Sequence, residues 1–376
     1  MSVQLGIPSV RPGEGDPESV ARAVQKELGN RAAKAPRSGP LLDQFGRVGE
    51  DLRISLTDKC NLRCTYCMPA EGMPWMPQDS LLTPAEVLRL VTIAVRDLGI
   101  RELRLTGGEP LIRPDLEVII GLLREHHPQL PISITTNGIG LDRRAAKLAA
   151  AGLTRINISL DTIDADTYAA LARRNRLQQV LDGITAAQAV GLSPVKINAV
   201  LMRGVNDDQA PDLLEFALQH GLELRFIEQM PLDGAHGWTR TNMVTAAEIR
   251  EALSTRFRLR PDEEPRNGAP AERYIVESPA GERLGRVGVI ASVTEPFCAA
   301  CTRTRITAEG KVRSCLFSHE EFDLGALLRS SATDEEIGQA WRQAMWLKPK
   351  AHGMGHPGLD SEDYVQPKRS MSAIGG

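Results

Sequence analysis

Short segments in which apolar and polar positions alternate recur through the middle of the chain: Arg53–Thr57, Glu102–Thr106, Ile132–Thr136, Arg155–Leu160, Val195–Leu201 and Glu223–Ile227. A period of two marks a β-strand with two unlike faces. Between them, apolar residues return every three or four positions near Asp142–Ala151, Arg176–Val190 and Ala210–His220, as on a helix with one buried stripe. Thr83-Pro84-Ala85-Glu86 opens another helix, which runs to Leu98 and stops at Gly99, and one more begins at Asp115. Thr and Glu three apart make a capping box, and proline suits the first helical turn. Strands and helices alternating at this spacing predict an α/β fold of parallel β/α units with right-handed crossovers. Five or six units predict an open or partial (β/α) barrel, with functional residues gathered at the carboxyl ends of the strands.

The ends of the chain read differently. Residues 1–45 are rich in Pro, Gly, Arg and Ala and predict a flexible tail, with one short amphipathic stretch at Pro17–Leu28. The barrel is assigned to 46–236 and a C-terminal region to 237–376. In the latter the alternation weakens, Asp262–Ala271 predicts an exposed loop, and Arg286–Ser292, Thr304–Thr307 and Lys311–Ser314 predict short strands before a helical segment. At 376 residues with 42% hydrophobic, the chain is long enough for substantial cores. A net charge of -3 gives no reason to expect nucleic acid or an anionic membrane as partner. No apolar run approaches the ~20 residues of a membrane-spanning helix, and the acidic residues near the start argue against a transit peptide. A cytoplasmic location is expected.

All six cysteines fall into two groups of three: Cys60, Cys64 and Cys67, then Cys298, Cys301 and Cys315. Three is an odd number for local disulfides, and thiols clustered in a reduced compartment point to metal. Structural zinc wants four ligands, and the first loop offers three thiols without a nearby histidine. An iron–sulfur cubane held by three cysteines leaves one iron open to a substrate or cofactor. In the second group Arg303 and Arg305, two apart on one strand, share a face, and fixed guanidiniums suit a polyphosphate.

Cys60-Asn-Leu-Arg-Cys64-Thr-Tyr-Cys67, followed by a strand ending in Gly107-Gly108-Glu109-Pro110, resembles the radical S-adenosylmethionine (SAM) superfamily. The second cysteine group, the Arg-x-Arg and the Gly375-Gly376 end narrow the resemblance to the GTP 3′,8-cyclase family of molybdenum cofactor biosynthesis. Phe45-Gly-Arg, Leu52-Arg-Ile-Ser, Thr135-Thr-Asn-Gly138, Ser159-Leu-Asp161 and Lys196-Ile-Asn198 also match that family. The resemblance implies a radical SAM partial barrel with a C-terminal extension and a lyase that uses two [4Fe-4S] clusters and SAM. It assigns Cys60, Cys64 and Cys67 to the cluster that cleaves SAM, and Tyr66, Gly108, Ser159 and Met230 to contacts with SAM. Arg53, Arg104, Thr135, Lys196 and Arg303-Thr304-Arg305 are assigned to GTP. Cys298, Cys301 and Cys315 are assigned to a second cluster that binds guanine, and Gly375 and Gly376 to a tail reaching the site. It further implies a reductant protein of unknown identity, a downstream cyclic pyranopterin monophosphate synthase and a homodimer. Thr302 departs from the family's usual Asn. Two rival readings stand beside it: a radical SAM enzyme that modifies a peptide, and a non-enzymatic zinc-binding module.

Overall fold

The computed structural model describes residues 26–351, 367 and 369–375; the Pro17–Leu28 helix expectation falls largely outside them. The hairpin β1 (Leu41–Leu42) and β2 (Val48–Gly49) precedes the main sheet. The six foreseen strands are β3 (Asp51–Ser55), β4 (Glu102–Thr106), β5 (Ile132–Thr136), β6 (Arg155–Ser159), β7 (Val195–Val200) and β8 (Glu223–Ile227). They pair in parallel in chain order.

The C-terminal region is not a separate layer. It supplies β9 (Arg258–Pro261), β10 (Glu272–Glu277), β11 (Arg283–Ile290), β12 (Arg303–Ile306), β13 (Lys311–Arg313) and β14 (Phe322–Asp323). Strand β11 adds in parallel to β8, and β12 in parallel to β3. One continuous 12-stranded sheet results. Both outer parallel strands then take antiparallel neighbours, β10 and β13, so the barrel stays open.

The alternation in the strands explains the two faces of this sheet. Ile54, Leu105, Ile134, Ile158, Ile197 and Phe226 are fully buried in the main core, each contributing about 1.5–3 kcal/mol through apolar burial. Parallel strands covered on both faces usually read as near-continuous apolar runs. Here Arg53, Ser133 and Asn157 occupy alternate positions and are buried too, because the other face surrounds a polar cavity.

The predicted capping box is present: Glu86 N donates to Thr83 Oγ1 at 3.2 Å, and Thr83 N to Glu86 Oε2 at 2.8 Å. Helices Ala165–Ala172 and Ala246–Ser254 were not anticipated; Asp164 and Thr245 cap them. One expectation needs correction. The tail boundary at residue 45 lies inside packed structure, since Leu41 is fully buried and its N–H donates to Leu98 O. The segment Asp262–Ala271 is, as expected, a largely exposed loop; it joins antiparallel β9 and β10, and its Gly268 and Pro270 lie toward Thr302 and the cavity.

Candidate active site

The first cysteine loop leaves β3 and is held by the glycines that follow β4. Gly108 N donates to Thr57 O at 2.7 Å and Glu109 N to Lys59 O at 2.8 Å. A Cβ on Gly108 would lie 2.2 Å from Lys59 O, and Gly107 has φ +134° with a virtual Cβ 2.3 Å from Thr57 O. The glycine pair is therefore needed to seat this loop. Glu109, almost wholly buried, accepts from Leu111 N at 2.8 Å, Thr136 Oγ1 at 2.6 Å and Asn137 N at 2.6 Å. Burial pushes its carboxyl up to about 7 despite these donors. Asn137 Nδ2 donates to Asn61 Oδ1 at 2.6 Å and reaches Cys60 Sγ at 3.9 Å.

Burial pushes the Cys60 thiol up to about 11 and, with the Cys60 charge adding, the Cys67 thiol up to about 12. Burial, followed by the Asp161 charge, lifts Cys64 well above the usual range. Thiols so placed ionise only beside a cation, which is what a metal cluster supplies. Each cysteine set offers soft sulfur donors and no fourth protein ligand on its loop, and His319 is exposed. This donor chemistry fits an iron–sulfur cube with one open iron. Tyr66 is aimed by Asp161: its OH donates to Asp161 Oδ2 at 2.7 Å, while Val200 N donates to Asp161 Oδ1 at 2.8 Å.

The second set lines a cavity that Tyr66 of the first loop also lines, while Cys60, Cys64 and Cys67 are outside that lining. Cys298 and Cys301 flank a single turn and Cys315 follows β13; all three line the cavity beside Phe297, Leu316 and Phe317. The approach to this turn is fixed by fully buried Glu228, which accepts from Ala246 N at 2.7 Å, Val293 N at 2.7 Å and Thr294 N at 2.9 Å. Burial raises the Cys301 thiol, but the Arg303 and Lys348 charges outweigh it and bring it down to about 6.

The same cavity holds a field of guanidiniums. Register places Arg305, Arg53 and Arg104 side by side on β12, β3 and β4, and Arg225 faces them from β8; all line the cavity together with Arg303. Arg53 Nη2 lies 3.4 Å from Asp51 Oδ2. Arg53 Nε, Arg104 Nε, Arg225 Nε, Arg305 Nη1, Thr135 Oγ1 and Asn198 Oδ1 are buried without a hydrogen-bond partner. Burial and then the Arg53 charge depress Arg104 and Arg305 to about 9 and Arg225 to about 10. All remain cations at neutral pH. Buried donors without partners are costly, and a polyanion resolves both the orphan donors and the excess charge.

The structure brings together most of the residues singled out in the sequence. Tyr66, Ser159, Met230, Arg53, Arg104, Thr135, Arg303 and Arg305 line one cavity. Gly108 sits behind the first cysteine loop rather than in the lining. Lys196 is paired with Glu223 at 2.5 Å, outside the lining. Thr304 points to the opposite face, where its fully buried hydroxyl accepts from Trp341 Nε1 at 3.0 Å; its side chain is no part of the cavity. Ser55 Oγ donates to Ile374 O at 2.8 Å, and a Cβ on Gly375 would lie 2.4 Å from Thr106 Cγ2, so the tail reaches the ends of β3 and β4; Gly376 lies outside the described residues. Sequence reasoning missed Arg225 and Glu228, and it met Asp161 and Asn198 only within family-matching stretches, without a role for either. Arg225 had the same signal as Arg104: a cation between two apolar residues of a strand.

Comparison with known proteins gives two family matches: the Radical SAM superfamily over residues 54–217 and Molybdenum Cofactor Synthesis C over residues 222–354. The chain is similar to the GTP 3′,8-cyclase of Paenarthrobacter nicotinovorans, with 62% identity over 89% of this chain and 97% of the relative. It is 56% identical to that of Streptomyces coelicolor over 92% of this chain and 99% of the relative. It is 52% identical to that of Mycobacterium marinum over 99% of both. In fold it is similar to Streptococcus suis SuiB bound to precursor peptide SuiA, with TM-score 0.54 and 15% identity over 94% of this chain and 76% of that one.

Proposed function

The chain belongs to the radical SAM superfamily and, within it, to the GTP 3′,8-cyclase family; from that premise we propose that it converts GTP to 3′,8-cyclo-7,8-dihydro-GTP, the first step of molybdenum cofactor biosynthesis. The observation that carries this reading is the arginine field in the cavity lined by the second cysteine set and by Tyr66 of the first cysteine loop, with its unpartnered buried donors.

Cys60, Cys64 and Cys67 would hold one [4Fe-4S] cluster, and Cys298, Cys301 and Cys315 the other; with SAM at the first, the bound groups would supply one-electron reductive chemistry and a hydrogen-abstracting radical. Tyr66, steadied by Asp161, Ser159 and Met230 line the side of the cavity assigned to SAM. Arg53, Arg104, Arg225, Arg303 and Arg305 hold the triphosphate, with the Thr135 hydroxyl as a further donor, while the Asn198 carbonyl oxygen accepts from a hydroxyl or N–H of the nucleoside. Phe297, Leu316 and Phe317 give the guanine apolar walls beside the second cysteine set. GTP loses the hydrogen at C3′, a C3′–C8 bond forms, and one electron and one proton complete the product. The protein's part is to leave only one hydrogen within reach and to exclude water. Lys196, outside the lining, is assigned to GTP less directly, through Glu223. The tail closes over β3 and β4.

A reductant protein supplies the electrons, a cyclic pyranopterin monophosphate synthase takes the product onward, and the chain works as a homodimer. The rival peptide-modifying role leaves the arginine field without a purpose. Anaerobic incubation with SAM and dithionite, with and without GTP, tests the reading: deoxyadenosine forms in step with GTP consumption, and deoxyadenosine release indifferent to GTP contradicts it.

A further inference from the structure

Phe45-Gly46-Arg47 has no task in the reaction just described, yet Arg47 is one of the most heavily engaged side chains in the molecule. It ends the turn between β1 and β2. Asp43 Oδ1 accepts from Phe45 N at 2.8 Å and Arg47 N at 3.0 Å, and Asp43 Oδ2 meets Arg47 Nε at 2.5 Å. With its base fixed, the guanidinium donates from Nη1 to Cys298 O at 2.7 Å and Lys350 O at 3.0 Å, and from Nη2 to Pro349 O at 2.6 Å. One planar fork thus ties the hairpin to the second cysteine turn and to the segment after helix Asp334–Trp346.

That segment carries Lys348, 2% exposed. Its Nζ donates to Arg303 O at 2.8 Å and Cys301 O at 3.2 Å, and the negative charges acting on it are those of Cys301 and Cys315. Three carbonyls of the second cysteine segment, those of residues 298, 301 and 303, are therefore held by two cations that approach from behind. Their side chains face the cavity. Burying an ammonium is expensive unless its hydrogen bonds and a nearby negative charge offset the loss of water. Two carbonyls and two thiolate ligands of a metal cluster meet that requirement.

We propose that Arg47 and Lys348 form a two-cation clamp on the second cluster: Arg47 fixes the turn that carries Cys298 and Cys301, while Lys348 sets positive charge behind Cys301 and Cys315. Both are positioning residues, and neither touches substrate. The inference rests on the reading that this cysteine set holds an iron–sulfur cluster. Cluster potentials follow nearby charge and hydrogen bonding, so the two arms of the clamp have different signatures.

The test uses the full protein, reconstituted anaerobically with both clusters, and measures iron, labile sulfide and the EPR-monitored reduction of each cluster. The first cluster is distinguished by the change in its signal when SAM is added. Lys348→Gln keeps a donor but removes the charge; it retains iron, and the midpoint of the second cluster moves to more negative potential while the first is unmoved. Arg47→Met loses up to all second-site iron, from about eight irons per chain toward about four, and Arg47→Lys restores part of it. A Lys348→Gln protein with full iron and an unmoved second midpoint overturns the charge arm. If Lys348→Gln loses iron instead, the Arg47 pair decides: full iron in both Arg47→Met and Arg47→Lys overturns the clamp, and graded loss supports it. A parent protein without labile sulfide at the second set contradicts the cluster reading itself, which is a different failure from a cluster that ignores both substitutions.

Discussion

Arg53, Arg104, Arg225, Arg303 and Arg305 line one cavity, and Asp51 Oδ2, outside its lining, lies 3.4 Å from Arg53 Nη2. Burial raises Asp51, but the surrounding guanidiniums outweigh it and hold it below the ordinary carboxylate range. At this scale the structure separates residues that the sequence treats alike. Arg305→Ala and Arg225→Ala each remove charge-assisted hydrogen bonds to phosphate, so the dissociation constant for GTP rises by about 10–100-fold while iron content stays that of the parent; equilibrium binding with an iron assay checks both. Thr304, adjacent to Arg305 in sequence, behaves differently. Thr304→Val strands the Trp341 N–H and costs about 1–3 kcal/mol of stability, read as a lowered unfolding midpoint, with GTP affinity unchanged. Strand alternation alone separates Thr304 from its neighbours, and it also marks Arg225. What the sequence hides is which cations converge, because that depends on register between strands more than 170 residues apart, such as β12 against β3.

Among the elements, the seam between the first cysteine loop and the Gly107-Gly108 turn decides whether the first cluster has a site. Gly108→Ala drives a methyl into Lys59 O; iron falls from about eight to about four per chain, with the second site kept. Glu109 crosses the same seam to β5. Its folded pKa is raised from 4.5 to about 7, so its contribution to stability is full below pH 4.5 and is lost as pH rises toward 7, by about 3 kcal/mol. Denaturation of the iron-free protein across that range shows the slope, and Glu109→Gln flattens it. Strands and long helices were legible because period two and period 3.6 are written in single segments. Helices Ala165–Ala172 and Ala246–Ser254 and the β9–β10 hairpin were not, since eight or nine residues give a weak period and charged positions obscured the strands.

For the whole molecule, a sheet extended at both edges by its C-terminal strands encloses a cavity that is too positive when it holds nothing negative. Among the described residues no helix is long and apolar enough to cross a membrane. A polyphosphate that binds the folded state but not the unfolded chain stabilises it by about 2.7 kcal/mol at a hundredfold excess over its dissociation constant. GTP and inorganic triphosphate both raise the unfolding midpoint, and guanosine raises it far less; differential scanning fluorimetry checks the order. The parallel α/β class was foreseen. The joining of β11 and β12 to opposite edges was not, because no local pattern records which edge a distant strand will meet.

The claim that this cavity delivers C3′ of GTP to the radical source is tested most directly by isotope transfer. With GTP deuterated at C3′, the 5′-deoxyadenosine released contains one deuterium and the nucleotide product has lost it. Deuterium retained in the nucleotide, with unlabelled deoxyadenosine, contradicts the account.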